Sequence, residues 1–241
     1  MPSHLPDSES AMQTTVGRRA TPSKTPKRKG PGRPEGASSV REEILDAAER
    51  LFSGLGYAGT TLREVSQEAK VTQALINYYF GNKFGLFEEV FLRRGAEIAR
   101  ERMENLESLQ AGGARPGVRE IVQAFLLPTV ILRTTLQGRH FLMLQARLHT
   151  EPPQISYGLR NKAYGDSTQR FVHALQDAMP GLSDLDANWR ITMMIGTYLY
   201  AFSDTHRMED RDAQYDPADW QSLIDQVTGF VVGGMSAGHS S

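Results

Sequence analysis

The sequence has no cysteine among its 241 residues. That excludes disulfide staples, thiol nucleophiles and cysteine-ligated metals together, and it fits a reducing compartment. No apolar run approaches the roughly 18 residues that span a bilayer, and the opening MPSHLPDSES lacks the basic-then-apolar pattern of a secretory signal. A cytoplasmic protein without membrane contact is expected. Glycine-rich phosphate loops, nucleophile elbows and paired metal-binding motifs are missing too, so neither an enzyme nor a cofactor is expected. His140 and His149 share a helical stretch with no third ligand at a useful spacing, which argues against a metal.

Net charge is almost absent, at -1, but its distribution is uneven. Residues 17–34 carry seven basic side chains and no acid, which leaves 20 basic residues to face 28 acids elsewhere. This arm is rich in proline, glycine, serine and lysine and has no hydrophobic periodicity, so residues 1–37 are expected to be disordered. Within it Gly32-Arg33-Pro34 resembles the core of an AT-hook, whose arginine enters a narrow minor groove; Pro31 stands where an arginine usually precedes that core. A tail that binds phosphates without sequence preference is the alternative.

From Ser38 to Ala237 the pattern becomes nearly continuous helix, with Ser38 and Ser39 as candidate N-caps. Ile44, Leu45, Ala48, Leu51 and Phe52 form one apolar face before Gly54 and Gly56 end the helix. Thr61 and Glu64 then have capping-box spacing, and Leu62, Val65 and Ala69 face inward. Thr72 caps a second short helix after a tight turn, which is helix-turn-helix grammar. The second helix of that motif lies in the major groove. Its surplus polar and aromatic face therefore has a use: Gln73 for a base edge, Asn77 and Tyr78 for backbone oxygens, Lys83 for a phosphate. Glu42, Glu43, Glu64 and Glu68 read as solvated carboxylates with nothing to shift them.

The run REEILDAAERLFSGLGYAGTTLREVSQEAKVTQALINYYFGNKFGLFEEVF resembles the DNA-binding domain of the tetracycline-repressor (TetR) family, through its LF, GY, TT, YYF and NK elements in order. The resemblance implies an all-α fold. A three-helix DNA-binding head would span 38–85, and a larger helical ligand-binding and dimerisation body 86–237. It implies a homodimer on a palindromic operator, released by a small-molecule effector. By position Gln73, Ala74 and Leu75 would face bases, with Thr72 at their N-cap. Thr61, Asn77, Tyr78, Tyr79 and Lys83 would lie near phosphates, and Arg33 would serve from the arm. Two departures stand out: Lys70 replaces the usual turn glycine and is expected to take a left-handed conformation at about 1 kcal/mol, and Asn77 replaces a frequent tyrosine.

Beyond the head, a long helix runs from Leu86 to Gly112, and its second half, ARERMENLESLQ, reads as a solvated connector. A helix from Val118 to Thr135 contains Pro128, which is expected to kink it. The stretches FLMLQARLHTEPP and WRITMMIGTYLYAFSD are similar to TetR-type regulators that respond to fatty acids or acyl thioesters. An elongated apolar cavity is expected around Phe125, Leu126, Phe141, Met143, Leu144, Met193 and Met194, with Arg133, His140, Arg147 or Asn161 at a polar end. The last two helices would form the dimer interface through Ile195, Tyr198, Leu199, Phe202, Trp220, Leu223, Ile224, Val227 and Val231. A ligand-independent architectural DNA-binding protein, and a helical enzyme on a borrowed fold, remain the competing readings.

Overall fold

A computed structural model describes residues 35–113, 115–203, 216 and 219–237. Most of the basic arm, including Pro31 and Arg33, lies outside these residues. The described chain is helical, with no strand: α1 (Glu35–Gly59), α2 (Leu62–Glu68), α3 (Gln73–Phe80), α4 (Lys83–Ala111), α5 (Val118–Val130), a 3-10 turn (Ile131–Thr134), α6 (Leu136–Leu148), α7 (Pro153–Ala178), α8 (Asp184–Phe202) and α9 (Trp220–Ser236). The all-α expectation is met.

Local signals set most of the boundaries. Thr61 and Glu64 close the capping box reciprocally: the Thr61 N–H donates to Glu64 Oε2 at 2.8 Å and the Glu64 N–H donates to Thr61 Oγ1 at 3.2 Å. Asn82 caps α4, Ser183 α8 and Asp219 α9, each accepting from a backbone N–H three residues on at 3.0–3.1 Å. Pro153 opens α7, where no intrahelical donor is needed. Three boundaries differ from the sequence reading. α1 starts at Glu35, so Ser38 and Ser39 lie inside the helix rather than at its N-cap. Gly54 stays helical, and the chain turns only at Gly56, with φ 74°. The helix carrying Pro128 is replaced after Val130 by the 3-10 turn, and α6 begins afresh at Leu136.

Lys70 has φ 55°, alone among the described non-glycine residues in the left-handed region. The strain of about 1 kcal/mol is partly offset by the greater unfolded-state freedom of glycine. Lys70→Gly is thus expected to raise stability by on the order of 0.5 kcal/mol, and Lys70→Val, β-branched at positive φ, to lower it by more. Urea midpoints in the opposite order would remove strain from the account.

Two cores organise the rest. Phe52, Val65, Ile76, Leu86, Phe87 and Phe91 bury the head, and Phe141, Leu144 and Leu148 of α6 and Leu159 of α7 belong to the same cluster. The head therefore has no core of its own that ends at residue 85; α6 completes it. The second core fills the body with Phe125, Phe171, Ile191, Met194, Tyr198, Phe202 and Ile224. The polar second half of α4 is not a simple solvated connector, since Arg102 is 1% exposed and Leu106 is fully buried.

Candidate nucleic-acid interface

The candidate interface is built from the two short helices and the turn between them. α2 ends at Glu68, and the Val71 N–H returns to Ser66 O at 2.9 Å across the left-handed Lys70. Thr72 Oγ1 accepts from the Leu75 N–H at 3.3 Å and starts α3. Ile76 and Phe80 anchor α3 inward, while Gln73, Ala74, Asn77 and Tyr78 stand free, with Tyr78 81% exposed. Leu75 and Tyr79 are half-buried and link this face to the core. An exposed aromatic ring beside amide side chains on one helix face supplies stacking, apolar and hydrogen-bonding groups to an external partner.

Lys83, at the start of α4, is held by its own head: its ammonium lies 4.5 Å from the Tyr57 ring centroid and 3.4 Å from Ala58 O. Thr61 is exposed, but its hydroxyl donates to Glu64 Oε2 at 2.8 Å. That bond and the Thr61 N–H hold the Glu64 carboxyl below its ordinary range, contrary to the reading of Glu64 as unperturbed. The correction follows from the capping box itself, because both donors favour the ionised form.

Ion pairs fix the head on α4. Glu49, its side chain 3% exposed, accepts from Arg93 Nη2 at 2.9 Å and from Arg94 Nε at 2.9 Å. Arg93 also meets Asp46 at 2.8 Å and Glu42 at 3.1 Å. At the other end of α1 the Tyr57 N–H donates to Glu151 Oε1 at 2.9 Å, just beyond α6.

The residues expected around a ligand are scattered. Phe125 and Met194 fill the body core and Leu144 the core shared with the head. Arg133 is fully buried and donates to Phe202 O at 2.8 Å. His140 lies near Glu49 and Arg50 of α1, and burial sets its pKa below the ordinary histidine value. Met143 is half-buried, Arg147 is exposed and Met193 is 62% exposed. Asn161 alone of these residues lines a cavity of about 320 Å³ between α4, α6, α7 and α8. Arg102, Gln145, Tyr164 and Tyr198, which the sequence reading did not select for a pocket, also line it. Among the described residues no group of three or more potential ligands could hold a metal, and no described helix is long and apolar enough to cross a membrane.

The expected dimer residues need a larger correction. Tyr198, Leu199, Phe202, Ile224, Val227 and Val231 are buried in the chain's own core, and Ile195, Trp220 and Leu223 pack against it. The opposite faces are open: Leu185 is 68% exposed, Trp189 55%, Met193 62% and Tyr200 56% on α8, and Phe230 73% on α9. α8 thus has two apolar stripes, the more regular of which turns inward, while α9 has one inward stripe and the single exposed ring of Phe230.

Residues 44–90 match the family described as bacterial regulatory proteins, tetR family, and residues 123–234 match the tetracyclin repressor-like C-terminal domain. The chain is similar to the HTH-type transcriptional regulator AcrR of Shigella flexneri, 32% identical over 113 residues, which cover 47% of this chain and 50% of that protein. It is also similar to the HTH-type transcriptional regulator HbdR of Aromatoleum sp. (strain CIB), 49% identical over 43 residues, or 18% of this chain and 19% of that one. These matches span half or less of the relatives' lengths. In fold the chain is similar to the fatty acid degradation regulator FadR from Bacillus halodurans, with a TM-score of 0.60 at 17% identity over 80% of this chain and 98% of that one. With the N-terminal and C-terminal domains of one family matched in order on an all-helical chain that carries a capped helix-turn-helix, the protein belongs to the tetR family of bacterial regulatory proteins, whose members are DNA-binding transcriptional regulators.

Proposed function

We propose that the chain is a ligand-released repressor acting as a homodimer on a palindromic operator, with α3 in the major groove. The observation that carries the reading is the free face of α3, where Gln73, Ala74, Asn77 and Tyr78 leave the head surface while Ile76 and Phe80 hold the helix in place. The open apolar stripe of α8, with Leu185, Trp189 and Met193, and the exposed ring of Phe230 on α9 support self-association, because large apolar side chains exposed in a row on one helix mark an interaction surface. Two heads joined in this way read half-sites about 34–36 Å apart, or a multiple of that distance. An effector releases DNA by binding more tightly to a state in which that spacing is lost.

In this reading Gln73 reads a base edge and Lys83, at the rim of the head, neutralises a phosphate. Genomic fragments selected by the full chain supply the operator. Gln73→Ala is then expected to relax preference at one base pair per half-site by about 1–3 kcal/mol, and Lys83→Ala to weaken all DNA binding and reduce the salt slope by about 1 per contact. Equal losses on operator and random DNA from both substitutions would reject the placement of α3. Selected fragments that share no palindrome, bound with no response to any small molecule, would favour an architectural DNA-binding protein instead.

A further inference from the structure

Arg102 projects from α4 into the body and is 1% exposed. Its Nε donates to Phe125 O at 2.9 Å and its Nη2 to Thr129 Oγ1 at 3.0 Å, and the guanidinium lies 3.6 Å from the Phe125 ring centroid. Tyr164 and Tyr198 complete an aromatic surround at 5.6 Å and 5.5 Å. Among the described residues no carboxylate pairs with it, and Nη1 makes no hydrogen bond. A buried cation without a counter-ion is costly. Carbonyl and hydroxyl acceptors and ring faces lower that cost without cancelling the charge.

The cavity of about 320 Å³ that Arg102 lines continues the same pattern. Arg160 stands at it as well. Its Nη1 meets His149 Nδ1 at 3.1 Å, its Nε donates to Ser156 O at 3.3 Å, and again no described carboxylate pairs with it. His149 is open over much of its surface, yet the desolvated side of its ring and the Arg160 charge push it down to about 4, so at neutral pH it is an uncharged acceptor for Arg160. No Asp or Glu lines the cavity. Gln145, 2% exposed, donates through its Nε2 to the Tyr164 and Tyr198 hydroxyls at 3.0 and 3.4 Å, and its Oε1 has no hydrogen-bond partner.

We infer that this cavity is a binding site for a small organic carboxylate, with Arg102 as its charge partner, Arg160 at the outer wall and Gln145 on the lining beside them. The inference rests on the ligand-released reading and names the effector's chemical class. A carboxylate supplies the counter-ion that the chain lacks, and a planar guanidinium accepts it in charge-assisted hydrogen bonds.

The test uses the full chain and three pairs of probes: benzoate and benzamide, succinate and succinamide, octanoate and octanamide. Thermal unfolding and calorimetry are run on each, with operator release followed in parallel. At least one carboxylate is expected to raise the unfolding midpoint by several degrees while its amide does not. Gln145→Glu, which places a carboxylate inside the cavity, is expected to abolish that binding. Arg160→Gln, at the outer wall and compatible with folding, is expected to weaken it by about tenfold. An absence of response to all three carboxylates, an equal response to acid and amide, or unchanged binding in Gln145→Glu overturns the inference. A carboxylate that binds with these sensitivities but leaves the operator complex intact upholds the site and overturns ligand release. Release by a neutral compound alone upholds release and overturns the carboxylate.

Discussion

Phe230→Glu is expected to yield a folded monomer whose affinity for the full operator is lower by at least about a hundredfold, because two linked heads gain roughly 10²–10⁴ over one. Phe230 is 73% exposed and, among the described residues, stands outside the body core cluster, so its replacement leaves that core untouched. In the proposed dimer its ring meets the α8 and α9 faces of a second copy, and a glutamate there would place an unpaired carboxylate in an apolar contact. Met193→Glu acts on the neighbouring helix and is expected to behave alike, whereas Val231→Glu, aimed at the buried side of α9, is expected to unfold the chain instead. Sedimentation of the full chain, together with titration of whole and half operators, separates these outcomes. A Phe230→Glu protein that remains dimeric with full operator affinity would place the interface elsewhere.

Removing Glu49 is expected to have the largest effect on stability from a single charge. Its carboxylate is nearly inaccessible and joins Arg93 and Arg94, both partly exposed, so Glu49→Ala strips α1 of its main polar tie to α4. Breaking one partner of a buried pair costs about 3–5 kcal/mol; with Arg93 retaining Asp46 and Glu42, the lower figure of about 3 kcal/mol applies. For a chain of this size that is a fall in unfolding midpoint of about 6–12 °C. Glu49→Gln, which keeps the shape and an acceptor, is expected to lose less. Chemical denaturation of both variants decides the matter, and a Glu49→Ala midpoint equal to the parent's would mean that the Glu49 pairs add nothing to the hold of α1 on α4.

The head was legible in the sequence because its signals are local. Thr61 and Glu64 lie three residues apart, Thr72 precedes its helix directly, and the cost of a non-glycine residue in the turn falls on Lys70 itself, whose left-handed conformation the structure displays. Nothing in those arguments requires a distant neighbour. The body's faces were misread because they do require one. The stripe Ile191, Met194, Tyr198 and the stripe Leu185, Trp189, Met193 both have helical spacing, and only tertiary packing shows which of them meets the chain's own α5 and α9. Arg102 was hidden for the same reason. It stands in a run of charged residues whose pattern is that of a solvated helix, and its burial depends on Phe125 and Thr129, more than 20 positions along the chain. Its spacing from Leu106 on the same face was the available signal, a cation four residues before a core leucine.

The chain's two tryptophans are placed on surfaces that matter separately. Trp189 lies 55% exposed on the open face of α8, and Trp220, half-buried, lines the groove of about 470 Å³ between α4, α5 and α9. Indole emission moves to shorter wavelength when water leaves the ring, so the fluorescence of this protein carries two signals of different origin. With Trp220 replaced by phenylalanine, the remaining tryptophan emission becomes a label-free gauge of whether the α8 face is covered.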